Sequence, residues 1–300
     1  MKEESIDVIK YVNLLFKNWK TIILFSLFAG IISIIISIFI LKDIYRSSAV
    51  LMPASASNSG LASSSTALGG FAAMTGVDLG GGSSMDKTKL ANEMLLSRDF
   101  YRKLYDSDES LLINLIAAKG YDKRTGKIII NQNIYDEKNK FWLYYDKDSN
   151  KKPSIQDTHG DFLNLISFDQ DLKSKFVYIS VKHLSPIVAH SLLETIIYEL
   201  SEQIRVFDNA EAEKSMSFIV EQSSNATSAS FRKTINELYN SQLHKLMLTE
   251  VSDGYAFRTI ESPVVAEKKY LPMRAVIVIL STMLGGLLSI FYVLIYRNPS

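Results

Sequence analysis

Three groupings of residues in this chain have types and spacings that chemistry can use. Glu194, Glu199 and Glu202, followed by Asp208, Glu211 and Glu213, crowd one stretch, and neighbouring carboxylates are the raw material of general acid–base catalysis. Their repeat, however, is that of an amphipathic helix, on which such charges solvate the exposed face. His159, His183, His190 and His244 offer imidazole nitrogens to a metal, but no two have the close spacing of a helical zinc site. They read as ordinary surface or partly buried histidines. Gly120 to Lys127, G-Y-D-K-R-T-G-K, looks like a phosphate-binding loop. It has one residue too many between its glycines, and Ile128 stands where a magnesium-holding Ser or Thr belongs, so it reads as a lysine-rich turn. The chain contains no cysteine, which removes disulfides, thiolate metal sites and thiol nucleophiles. A net charge of +1 gives no electrostatic footprint for nucleic acid, for which a clustered basic face would be expected. The expectation is therefore no catalytic residue, no metal site and no cofactor: not an enzyme.

The elements around these residues begin and end with apolar runs. Thr21 to Leu41 and Ala275 to Tyr296 contain no Asp, Glu, Lys, Arg or His. At about 1.5 Å per helical residue, each matches a hydrocarbon core roughly 30 Å thick. Both are read as transmembrane helices, with tails at 1–20 and 297–300 and a loop domain at 42–274. The first run is longer than the apolar part of a signal peptide, and Ala54-x-Ala56 lies too far downstream to be its cleavage site. Two spans place both ends in one compartment. Lys2, Lys10, Lys17 and Lys20 precede the first span while only Lys42 and Arg46 closely follow it, so the positive-inside rule assigns the ends to the cytoplasm and the loop to the periplasm. Lys268, Lys269 and Arg274 before the second span, against Arg297 after it, point the other way; the first helix usually dominates. Arg297 to Ser300 is too short for an output domain, which argues against a receptor or kinase in the same chain.

Within the loop, Tyr45 to Pro53 alternates as a strand. Ala54 to Ser84, mostly Ala, Ser and Gly, reads as a flexible connection. Helical spacing of Leu90, Met94, Leu95, Phe100 and Leu104 follows, with Asp86 as N-cap. Ile128–Ile130, Phe141–Tyr145 and Phe176–Val181 favour strands, and Ser154 to Ile166 favours a helix. After Pro186 a stripe of Ala189, Leu193, Ile196, Leu200, Ile204 and Phe207 recurs at steps of three or four, predicting one buried face on a helix running to about Gln222. The stripe restarts at Phe231, Ile235, Tyr239, Leu243 and Leu246. Two antiparallel helices, about 186–222 and 227–250, fit best, with one kinked helix as the alternative. At roughly 55 Å the first is longer than a compact domain needs, and it should project from the body. Tyr255 to Ser262 is a last strand, and Pro263 and Pro272 mark the connector into the second span. The fold class is α+β: two transmembrane helices flanking a periplasmic domain with a mixed sheet and a long projecting helical hairpin. Within the second span, Ser281, Gly285 and Ser289 lie four apart with Gly286 beside them, the small-residue pattern that lets helices approach.

Several of these segments resemble one family. Ile6-Asp7-Val8 through Lys17-Asn18-Trp19-Lys20, leading into a span, is similar to the opening of the Wzz polysaccharide co-polymerase (O-antigen chain-length determinant) family. So are the strand Tyr45 to Pro53, the Gly/Ala-rich segment, Ser97-Arg98-Asp99-Phe100, and Val181-Lys182-His183-Leu184-Ser185-Pro186 before the long helix. Leu246-Met247-Leu248-Thr249-Glu250-Val251, Tyr255-Ala256-Phe257-Arg258-Thr259-Ile260, Ser262-Pro263-Val264-Val265 and Leu284-Gly285-Gly286 resemble its C-terminal pattern. The order of these segments carries the resemblance, which covers nearly the whole chain outside about 119–152. Ala266 stands where the family pattern would place a proline, and the nucleotide-binding domain of the related tyrosine autokinases is missing. The resemblance implies a non-enzymatic inner-membrane protein that assembles into a ring-like homo-oligomer, an octamer being one such ring. Its partners would be membrane lipid, a separate glycan polymerase and the lipid-linked polysaccharide whose modal length it sets. The alternative from the residues is a two-span periplasmic sensor or adaptor of a polysaccharide or export system.

Overall fold

A computed structural model describes residues 14–53, 87–145, 151–224, 229–251 and 254–296. The Ala/Ser/Gly-rich segment, the Asp86 cap and the Ile6-Asp7-Val8 motif lie outside the described residues. The chain divides into two units, residues 1–44 with 268–300 and residues 45–267.

The first unit contains the two apolar helices, α1 (Trp19–Phe39) and α8 (Arg274–Tyr296), both long and apolar enough to cross a membrane. They pack on each other. Helix α1 starts and stops two residues earlier than the apolar run, taking in Trp19 and Lys20 and ending at Phe39.

The second unit is built on a four-stranded sheet in the order β6-β7-β1-β8: β1 (Tyr45–Pro53), β6 (Ile166–Gln170), β7 (Val177–His183) and β8 (Phe257–Glu261). All three ladders are antiparallel, where the sequence predicts a mixed sheet. β6 and β7 form a hairpin closed by Lys175 N–H on the Asp171 carbonyl, and β1 pairs with the sequence-distant β7 and β8 with no parallel crossover. Ala49, Leu51, Val177, Ile179 and Val181 fill one face. Over it lie the first half of α6 (Pro186–Ser224) and the helices α2 (Lys87–Leu96), α3 (Arg98–Ser107) and α5 (Ile155–Leu165). The single helix expected from Asp86 is thus interrupted: Ser97 accepts a hydrogen bond from Phe100 N–H and restarts the chain as α3. Tyr101 stacks on Phe162 at 4.8 Å and donates to Thr158, joining α3 to α5.

Residues 118–142 fold as two small hairpins, β2–β3 (Ala118–Asp122, Lys127–Ile130) and β4–β5 (Tyr135–Asp136, Phe141–Trp142). The expected strand Phe141–Tyr145 is only two residues long. These hairpins and α4 (Glu109–Ile116) enclose a second core of Leu112, Ala117, Ile130, Tyr135 and Trp142.

Candidate functional site

The long helix and its partner dominate the chemistry available to this chain. Helix α6 has 39 residues, about 58 Å of axis, and α7 (Ala229–Val251) packs along its second half. Thr249 hydrogen-bonds Asn209, and Ile219, Ile235 and Leu238 are buried. This is the helical hairpin. Ala189, Leu193, Ile196, Leu200 and Ile204 are each 0% exposed, but Phe207 is 43% exposed and Asp208 is buried in its stead. The stripe drifts because α6 changes neighbours: beyond Ile204 it leaves the sheet and meets α7, and a straight 3.6-residue helix turns a different face to each. Val206, Phe207, Phe218 and Val220 of α6 and Leu243 and Met247 of α7 are all exposed. The hairpin therefore carries scattered apolar side chains on its outside.

At the root of the hairpin, Asp208 holds three segments together. Its carboxylate accepts from Lys87 Nζ at 2.8 Å and from the Tyr255 hydroxyl at 2.6 Å, and Lys87 Nζ also donates to that hydroxyl at 3.1 Å. The ammonium sits 4.4 Å above the Tyr255 ring. Burial, and then the Asp208 carboxylate, push the Tyr255 phenol far above its ordinary range, so it remains a donor. By residue type alone Asp208 counts among the surface carboxylates; the signal against that is its place four residues after Ile204, in the register of the stripe. The other acidic residues remain helix-face groups. Glu202 pairs with Arg205 at 2.5 Å and Glu194 lies 3.4 Å from His190.

The histidines do not converge, and among the described residues no three His, Asp or Glu gather at metal-binding distance. His159 meets the Leu96 carbonyl. His183 is structural: one ring nitrogen accepts Ser185 N–H at 3.0 Å, which requires the other to donate to the Asn114 carbonyl at 3.0 Å. Burial holds its pKa below the usual imidazole range. It thereby fixes the turn from β7 into α6, with Pro186 as the first helical residue. Gly120 to Lys127 is the β2–β3 turn, with Gly126 at φ +70° and the Asp122 carboxylate accepting from Arg124 N–H and the Thr125 hydroxyl.

In the first unit, the small residues of α8 face α1. A Cβ on Gly285 would stand 2.5 Å from the Ala29 Cβ, one on Gly30 2.8 Å from Thr282 Oγ1, and one on Gly286 3.7 Å from Ser26 Oγ. Ser26 donates to the Thr282 carbonyl at 2.9 Å. Ser289 is buried and Ser281 half-buried. An answering stripe on α1, which sequence reasoning missed, consists of Ser26, Gly30, Ser33 and Ser37; its signal is recurrence at four, three and four residues. Where the chain leaves and re-enters this unit, Ile44 bridges Leu271, and Asp43 takes both Lys269 at 3.2 Å and Arg274 at 2.9 Å. Pro272 lies two residues before α8. Pro263 belongs to the other unit, where the next carbonyl, of Val264, accepts from Ser47 Oγ.

Residues 4–107 match a family model described as Wzz: Chain length determinant protein. The resemblance read from the sequence is thus found independently over the first third of the chain. Among solved structures, a "full-length bacterial polysaccharide co-polymerase" is similar at 13% identity and a TM-score of 0.34, over 96% of each chain; that likeness is too slight to carry an assignment. No curated protein matches.

Proposed function

We propose that this chain, with its Wzz chain length determinant match, is a two-span inner-membrane co-polymerase that sets the modal length of a lipid-linked surface glycan, O antigen or similar, made by a separate polymerase. The family match over residues 4–107 carries the reading. In it, both termini are cytoplasmic and residues 42–274 periplasmic. The pairing of Lys269 and Arg274 with Asp43 supports that orientation, because two of the three charges that oppose it are engaged in one ion cluster. The protein acts without catalysis, through shape and contact. A 39-residue helix with apolar side chains on the outside of its hairpin provides a long surface for a second copy in a ring, for the polymerase, or for both.

Deleting the gene and resolving the surface polysaccharide on gels tests this. Polymer should persist with a broadened or shifted length distribution, since the polymerase keeps its own active site. Complete loss of polymer overturns the regulator reading.

A further inference from the structure

The β2–β3 hairpin, whose turn looks like a phosphate loop and is not one, has no part in length control as proposed. Its side chains are sorted. Ile130 is buried and Ile128 packs against the second core, while Lys127 and Ile129 face solvent, Ile129 being 50% exposed. Lys119, Lys123 and Arg124 are exposed beside them. Four basic residues thus stand against a single acidic one, Asp122, and its carboxylate is occupied by the turn it caps. Lys119, Arg124 and Lys127 make no ion pair among the described residues.

One contact and the covalent chain limit how far this hairpin can stray from the first apolar run. Tyr121 packs edge-on against Tyr45 at 5.8 Å, and Lys123 Nζ lies 5.7 Å from the same ring. Tyr45 comes four residues after Leu41, the end of the apolar run, and four residues reach at most about 14 Å. If α1 crosses a membrane, Tyr45 and the hairpin that packs on its ring are tethered within chain reach of that membrane's surface. A basic rim around an exposed isoleucine is the pattern of a protein surface that rests on headgroups, apolar side chain inward and ammonium groups among the phosphates.

We infer that the β2–β3 hairpin docks on anionic phospholipid headgroups of the leaflet facing the domain, through Lys119, Lys123, Arg124, Lys127 and Ile129. The inference rests on the two-span reading and is independent of glycan chemistry. Each Lys or Arg at an anionic surface changes partition on the order of fivefold, so neutralising three weakens docking on the order of a hundredfold.

The absence of native cysteine permits a clean test. The full chain, fluorescently labelled at Thr125→Cys, is placed in nanodiscs of phosphatidylcholine, with or without phosphatidylglycerol, containing a headgroup quencher. Recovery of the chain in both kinds of disc establishes insertion separately from docking. Quenching should be strong only with phosphatidylglycerol, fall with added salt, and be lost in Lys123→Gln/Arg124→Gln/Lys127→Gln. A label at Lys173→Cys, in the β6–β7 turn, should show no dependence on lipid charge. Equal quenching in both lipids, full quenching of the triple variant, or release by inorganic phosphate at constant ionic strength overturns the inference. The salt response of the unsubstituted hairpin decides the matter even if the triple variant folds poorly.

Discussion

The two halves of helix α6 have the same secondary structure and opposite surroundings. Between Pro186 and Ile204 it buries Val188, Ala189, Leu192, Leu193, Ile196, Leu200 and Ile204. From Val206 to Ser224 the buried apolar residues are Ala212 and Ile219 alone among those described, and four large apolar side chains are exposed. The first half belongs to a core and is held by a sheet and several helices. The second is held by α7. Substitutions in the first half should therefore act on folding, and those on the outside of the second on contact with something else.

Leu200→Asp should break the comparison most severely. It places a charge in a fully buried site and costs about 4 kcal/mol, the penalty for a buried charge left uncompensated, unless the group protonates or the site opens. Phe207→Asp, one half-helix away and 43% exposed, should cost less than about 1 kcal/mol and yet disturb oligomers. Denaturant melts and crosslinking of the two variants check this; equal destabilisation would erase the distinction between the halves.

Asp208→Asn tests the boundary between them. The Lys87 side chain is 24% exposed and that of Asp208 6%, so the loss should fall below the full buried-pair range, at about 2 kcal/mol. Lys87→Met with Asp208→Asn should cost less than the sum of the single changes.

Gly285→Leu moves the comparison to the packed pair of apolar helices. Because a Cβ at this position would stand 2.5 Å from the Ala29 Cβ, the spans must separate at a cost of about 1–3 kcal/mol. Cysteines placed at Phe25 and Tyr292, whose rings stack at 5.7 Å, should crosslink in the parent and lose that crosslink in the variant while insertion is unchanged.

A smaller effect belongs to His183 at the start of α6. Because its folded pKa is depressed by burial, its stabilising contribution is complete above the unfolded value of about 6.5 and is lost as pH falls below that towards the folded value. Melts should show this slope in the parent, and it should shrink in His183→Gln.

What is legible in the sequence divides along physical lines. The spans, β1, α5, β7 and the two long helices are set by periodicity and length, which are local properties of the chain. The antiparallel arrangement and the edge positions of β6 and β8 depend on which segments meet, and no local pattern states that. Residues 118–142 are obscure for a related reason: Trp142, Tyr135 and Ile130 form their core with Leu112 from a preceding helix. Asp208 escapes a local reading because its partners, Lys87 and Tyr255, lie 121 and 47 residues away. Phe207 is misplaced by the same reading because a stripe in sequence does not record where the neighbour it faces comes to an end.

The central claim is that this long helix works by shape and not by its carboxylates. Its most direct test is the gel profile of surface polysaccharide from the deletion strain carrying the chain with Glu199→Ala and Glu202→Ala. Glu199 and Glu202 are half-buried and Glu202 pairs with Arg205; losing such a partly exposed pair costs no more than about 1 kcal/mol in stability, so the modal length should match that of the unsubstituted protein. Loss of polymer at normal protein level would contradict the account and point to catalysis on that face of the helix.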